Sequence, residues 1–582
     1  MALIYNATFD KNTRKLSFED RAGNEIYSFT VPERAPVDDI TKPLTFKATK
    51  DGSTVKLTSV GNTSVGYPSG DFQTSRDGGN TWKDYTINSA ITLNTGDEVS
   101  FRAKANRTSK QSRDVHFSFE MTGKIEAWHN VMSLYRTNDF ATYNTLMESA
   151  FNCLFSGCTS LTKAPALPFT TLANSCYSSM FEGCYSLTKA PALPVTTLAG
   201  SCYSSMFSDC TSLTEAPVLP ATTLAQSCYH SMFKGCRKLA KAPVMPSTTL
   251  AKYCCYHMFD GCTSLTEAPE LPATTLADNC YDNMFVDCTS LTKAPELPAT
   301  TLTTHCYSNM FNGCTSLTEA PALPATTLAS PCYLQMFEGC RSLTKAPALP
   351  ATTLTLDCYS SMFSGCTSLT EAPALPATKL AGGCYGGMFS GCTSLTEAPV
   401  LPATTLAGRC YSSMFSGCTS LTKAPVLPAT TLAISCYYGM FSGCTSLTEA
   451  PALPVTTLAN YCYQYMFSRC TSLTEAPVLP ATTLAQSCYS NMFNGCTSLT
   501  KSPALPATTL AKSCYGGMFS GCSSLNEVRC NIPSSYSSSQ ISSYAENWLS
   551  SVSSTGTFYT NTDANWPSGA SGIPTGWTRV NA

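Results

Sequence analysis

Apolar residues recur along this chain at two different rhythms. Through the first 125 residues they alternate with polar ones in short runs broken by turn-prone clusters. Leu3 to Phe9 and Lys15 to Phe18 flank Asp10-Lys11-Asn12-Thr13, and Arg21-Ala22-Gly23-Asn24 precedes Ile26 to Val31. A period of two with turns between predicts a three-stranded β-meander over residues 1–33. A sheet that small cannot hold a core of its own, so it reads as a docking arm, followed by a linker at 34–42. Residues 43–125 continue the alternation, as in Leu44-Thr45-Phe46-Lys47-Ala48 and Val99-Ser100-Phe101-Arg102-Ala103, with turns about every ten positions. They predict a small β-sandwich. Residues 126–150 are expected to form a helical N-terminal cap.

From 151 to 527 the rhythm changes to one of 26 residues. The unit runs Cys-Tyr-x-x-Met-Phe-x-Gly-Cys-Thr-Ser-Leu-Thr-(Lys/Glu)-Ala-Pro-x-Leu-Pro-Ala-Thr-Thr-Leu-Ala-x-x, as in Cys176 to Ser201, and fifteen such units follow one another. One unit cannot bury an apolar face alone, so neighbours must stack. The paired prolines exclude a continuous helix. The expected fold is a mostly β, leucine-rich-repeat-like solenoid, each coil carrying a short strand and a helical turn over Cys-Tyr-x-x-Met-Phe, preceded by the small β-sandwich. In that turn Cys176, Met180 and Cys184 fall at i, i+4 and i+8 on one face. Residues 528–582, with Trp548, Trp566 and Trp577, are read as a C-terminal cap over the last coil.

Of 32 cysteines, 29 lie in two columns of the repeat, a first column from Cys176 to Cys514 and a second from Cys158 to Cys522, each at 26-residue spacing. Such regularity points to a recurring packing position, because free cysteine behaves as a small buried hydrophobe. The two cysteines of a unit stand eight residues apart, unlike the close pairs of a zinc knuckle. No metal or other cofactor is expected.

Charge changes the picture in one column. From Lys163 to Glu527 fifteen charged residues form fourteen neighbouring pairs, eleven of them opposite in sign. Coils stacked about 4.8 Å apart would feel that alternation as a preference for correct register. The net charge of −2, without a basic block, argues against nucleic acid as a partner. No apolar run approaches a membrane span, so no membrane insertion is expected. Met1 to Asn6 lacks the basic and apolar segments of a signal peptide.

The repeat resembles the BspA-type leucine-rich repeats of bacterial surface proteins, whose Met-Phe-x-x-Cys-x-x-Leu core stands here at Met206-Phe207-Ser208-Asp209-Cys210-Thr211-Ser212-Leu213 and its equivalents. The Ala-Pro-x-Leu-Pro segment departs from the alternating aliphatics usual there, which bears on the length of the strand. The sandwich and the Gly572-Ile573-Pro574-Thr575-Gly576-Trp577 tail also look like segments accompanying such repeats in gut Bacteroidota proteins. The resemblance implies adhesion or partner binding without catalysis. Ser75 to Trp82 resembles an Asp-box, which marks a hairpin turn and not a catalytic group. No phosphate loop, metalloprotease motif or nucleophile elbow occurs, and no enzyme is expected.

Variation concentrates in the two residues before each first-column cysteine and the two after the tyrosine. There an aromatic and basic strip of His230, Tyr253, His257, His305, Arg409, Tyr438, Tyr461 and Tyr465 is the candidate binding surface, drift at unconstrained sites being the plainer reading. The favoured role is a phage fibre or decoration protein on the virion surface, docked to other virion proteins through residues 1–33. The solenoid would then meet a host surface protein or glycan. The alternative is an adhesin at the bacterial cell surface. Self-association is left open.

Overall fold

The computed structural model describes residues 6–10, 15–19, 25–30, 38–60, 71–107, 116–561 and 563–581. Strands β1 (Asn6–Asp10), β2 (Lys15–Glu19) and β3 (Glu25–Thr30) pair antiparallel in the order β1-β2-β3.

The next strands are β4 (Thr45–Ala48), β5 (Ser53–Val60), β6 (Phe72–Ser75), β7 (Lys83–Tyr85), β8 (Ile91–Leu93), β9 (Glu98–Ala103), β10 (His116–Thr122) and β11 (Ile125–Trp128). One sheet is ordered β10-β5-β8; the other is ordered β12-β11-β4-β9-β6-β7, where β12 (Leu161–Lys163) belongs to the first coil of the repeat. The parallel pairing of β11 with β12 welds the sandwich to the solenoid. In place of the predicted helical cap, residues 126–150 hold the end of β11 and a single 3-10 turn at Val131–Leu134. The strand won because Ile125 and Ala127 are fully buried in a sheet that already offers β4 as partner.

Within each coil the expected helical turn is a ladder of a different kind. Around Cys176 the backbone N–H groups alternate in direction. Those of Tyr177, Ser179, Phe181 and Gly183 donate to carbonyls of the next coil, at Cys202, Ser204, Met206 and Ser208, over 2.8–3.0 Å. Those of Ser178, Met180, Glu182 and Cys184 donate to the carbonyl three residues back over 3.1–3.2 Å. An α-helix would have kept every bond inside the coil; here half of them join coils, so the backbone groups of the ladder are paired and neighbours are locked together. The left-handed conformation recurs every fourth residue, as at Ser175, Ser179 and Gly183 with φ of +55°, +54° and +70°. That period of four still places Cys176, Met180 and Cys184 on the core side, all fully buried, with Tyr177 and Phe181 beside them.

Across the core lies the proline face, the Lys/Glu-Ala-Pro-x-Leu-Pro segment. Its strand is reduced in the inner coils to one bridged residue in the charged column, as at Lys293 with Glu319, and another among the threonines, as at Thr301 with Thr327. Proline lacks the N–H that a longer ladder would need. Longer strands return at the C-terminal end, where β13 (Lys501–Leu505), β14 (Glu527–Cys530), β15 (Gly556–Thr560) and β16 (Trp577–Asn581) form a parallel sheet.

One hydrophobic core runs unbroken from Leu44 to Trp577. Phenylalanine rings stack along it, from Phe155 on Phe181 (5.4 Å between centroids) to Phe493 on Phe519 (5.5 Å). A parallel tyrosine stack is interrupted where Cys255 takes the tyrosine position. All 32 cysteines are buried free thiols. From Cys184 onward each second-column thiol donates to the phenylalanine carbonyl of the preceding coil, as Cys314 to Phe285 at 3.1 Å. That bond explains cysteine where an aliphatic side chain would also fill the space.

Candidate functional site

The turn ladder shapes the variable columns. The residue before each first-column cysteine and the third residue after it both sit at φ of +50° to +62°, apart from Pro331, whose ring forbids it. Glycine, serine, asparagine or aspartate supplies most coils, as at Gly383, Gly387, Asn279 and Asn309. Six of the eight candidate residues occupy these same positions: Tyr253, His257, His305, Arg409, Tyr461 and Tyr465, at φ of +53° to +60°. A bulky side chain there costs about 1–2 kcal/mol relative to glycine. These columns are therefore constrained by the backbone, and aromatic residues are held in them against that cost. His230 and Tyr438 occupy the neighbouring column, where φ is not positive. Arg409 is exposed; the other seven are half-buried.

The structure gathers the candidates into two groups. In the first, the His230 ring lies 5.1 Å from Tyr256, which meets His257 edge-on at 4.3 Å and Tyr253 at 5.8 Å. Asp260 Oδ2 lies 2.8 Å from His257 Nδ1 and 2.9 Å from Lys234 Nζ. Burial alone would raise the Asp260 carboxyl, but hydrogen bonds from His257 and Lys234 bring it below its ordinary range. Burial lowers His230, helped by His257 and Lys234 nearby. In the next coil Asp282 is buried and accepts from Asn279 at 3.1 Å and Asn283 at 2.6 Å. Burial raises it, opposed by the Asn279 bond and by His305 and His257. His305 Nδ1 is 3.2 Å from Ser308 Oγ.

In the second group Tyr438 and Tyr465 meet edge-on at 5.6 Å, and the Tyr461 hydroxyl accepts from Gln486 Nε2 at 2.6 Å. Arg409 stands apart, before the coil that precedes Tyr438. The candidate strip left out Tyr256, Asp260, Asp282 and Lys234, although Tyr256 and Asp282 stand in a variable column. Tyr256 sits in the same column as His230 and Tyr438, and a residue-by-residue scan of that column finds it.

Among the described residues no cluster of three histidine, cysteine, aspartate or glutamate side chains is placed to hold a metal. Among those residues, too, no helix is long and apolar enough to cross a membrane. The Asp-box is a turn: Asp77 accepts from Ser75 Oγ and Thr81 Oγ1, both at 2.6 Å, between β6 and β7.

The family model described as BspA type leucine-rich repeat region matches in six overlapping copies spanning residues 141–561. Among solved structures, a chain of the crystal structure of the TLR13–ssRNA13 complex matches at 15% identity, over 72% of this chain and 49% of that one, with a TM-score of 0.19. This chain thus spans about half the length of that one. No curated protein sequence matches.

Proposed function

The chain belongs to the BspA-type leucine-rich-repeat family, whose repeats are in general non-catalytic binding domains, and from that we propose that it is an adhesin whose turn face grips a protein or glycan surface. The observation that supports this is the cost accepted at six positions. Residues in the left-handed region persist where their surroundings over-determine them or function uses them, and most other coils meet the same backbone demand with a small residue: serine, glycine, asparagine or aspartate. Tyrosine and histidine supply rigid contact area with a polar tip, the composition of binding hot spots. Two such groups on one rigid rod allow simultaneous engagement of a repetitive surface.

The family match favours a cell-surface adhesin over the virion protein. Mass-spectrometric detection of the chain in the outer-membrane fraction supports that location, whereas stoichiometric presence in purified phage particles would move the same binding role to the virion.

The binding test uses the full chain on an array of mucin-type and bacterial glycans and on intact cells. Replacing Tyr253, His257, Tyr461 and Tyr465 together by asparagine is expected to weaken whatever binding is found at least tenfold. Unchanged binding by a folded variant refutes the turn-face site.

A further inference from the structure

On the proline face the charged column has a property that the chain does not use internally. From Lys189 to Glu371 its signs alternate without a break over eight coils, and every one of these residues is exposed. Of them, Lys189 and Glu215 approach to 4.0 Å, while Lys241, Glu267, Lys293, Glu319, Lys345 and Glu371 have no ion-pair partner within 4.0 Å among the described residues. Lys163, one coil earlier, is taken: it pairs with Asp38 at 2.9 Å and lies over the Trp128 ring.

An alternating strip of even length is self-complementary when a second copy is laid on it antiparallel. A two-fold axis between the coils of Glu267 and Lys293 sets Lys189 opposite Glu371, Glu215 opposite Lys345, Lys241 opposite Glu319 and Glu267 opposite Lys293. By symmetry that makes eight opposite-sign contacts. Within the eight coils, a shift of one sets like on like at every contact. A shift of two in one direction opposes Lys189 to Lys423 and Glu215 to Glu397; in the other it opposes Lys163 to Lys345.

The apolar relief selects the same register. Three residues after each charge lies the exposed x of Ala-Pro-x-Leu-Pro. Val218 and Val244, 76% and 71% exposed, stand in two adjacent coils. In the register fixed by charge they face Ala348 and Ala322, which line a groove of about 730 Å³ between two coils. Large thus meets small, and the valines would enter the groove.

We infer that the proline face is a homodimer interface, formed antiparallel by these eight coils. At about 4.8 Å per coil and about 20 Å across the segment, it would bury about 1,500 Å² in all, the size of a standard specific interface. At the axis Glu270 faces Glu296 of the other copy and, by symmetry, Glu296 faces Glu270, two like-charge contacts set against the eight favourable ones. The inference does not rest on the adhesin reading. It leaves the turn faces, across the core, pointing outward on both sides, which doubles their valency.

Sedimentation velocity and light scattering of the full chain are expected to show a dimer that weakens as salt rises. Lys241→Glu or Glu319→Lys alone should each weaken it at least tenfold. The double variant should restore it, although within each chain it adds like-charge neighbours. Glu270→Gln with Glu296→Gln should tighten it. All four positions are solvent-exposed, so circular dichroism is expected to stay unchanged. A chain that remains monomeric overturns the inference. So does a dimer indifferent to either single reversal, or a folded double variant that stays monomeric.

Discussion

At Tyr465 the backbone demands φ of +58°, and in the same column Asn283, Asn309 and Asn491 meet that demand at +58°, +52° and +54°. Asparagine tolerates the left-handed region far better than tyrosine. Tyr465→Asn is therefore expected to keep or raise stability, by about 1 kcal/mol, while weakening binding; a large drop in melting temperature would show that the ring serves packing. The histidines add a pH dependence. His230 is held below its ordinary value by burial, so its folded pKa lies under the unfolded one. Its neutral form supports the fold at pH above about 6.5, and that support is lost as pH falls through the folded value. Asp260, also lowered, acts in the same sense only near the carboxylate range. Asp282, raised by burial, acts oppositely, its contribution being lost as pH rises through its folded value. Between pH 7.5 and 5.5 the melting temperature of the wild type should fall more than that of His230→Asn. Equal slopes would remove His230 from this account.

The coil is the element that carries stability, and its bonds run outward. Each shares its turn-ladder hydrogen bonds and its Cys–Phe bond with the adjacent coils, so damage should pass between neighbours. Cys314→Ala removes the bond to Phe285 and leaves a small void, an expected loss of about 1–3 kcal/mol by chemical denaturation. Leu317→Asp places a carboxylate where exposure is 0% and no partner waits. It should split one unfolding transition into two, seen as a broadened or biphasic melting curve. A single unchanged transition would contradict a continuous core. The turn segment also shows how far sequence periodicity reaches. A spacing of four told which residues face inward, since Cys176, Met180 and Cys184 are buried as that spacing requires. It could not separate an α-helix from a ladder of the same period, because only the next coil's carbonyls decide where the N–H groups go.

Over the whole molecule, both ends of the stack are closed by residues that imitate a coil. At the N-terminal end Phe119 of β10 stacks on Phe155 at 5.6 Å, and its carbonyl accepts the Cys158 thiol, the role that Phe155 plays for Cys184. At the C-terminal end Phe519 and Gly521 donate to Trp548 and Ser550, while Asn547 and Ser551 continue the left-handed columns. The helix α1 (Ser538–Tyr544) takes up the extra residues of this last, irregular coil. Trp548→Ala should open that end first: amide exchange at Phe519 and Gly521 would accelerate while Phe311 stays protected. Uniform acceleration would mean that the stack unfolds as one unit. The sequence by itself determined the solenoid, its repeat length and its buried columns, because a 26-residue unit with fixed apolar positions has no core until it is stacked. It also showed the alternating charges and singled out six positions that prove to be left-handed. Only the tertiary structure decided that the coil is a hydrogen-bonded ladder and not a helix, and that the N-terminal cap is a sheet. It alone showed that Tyr256, Asp260 and His257 meet, and that most of the charged column has no ion-pair partner among the described residues. Each of these depends on groups supplied by another coil or sheet, whose distance and direction no single segment encodes.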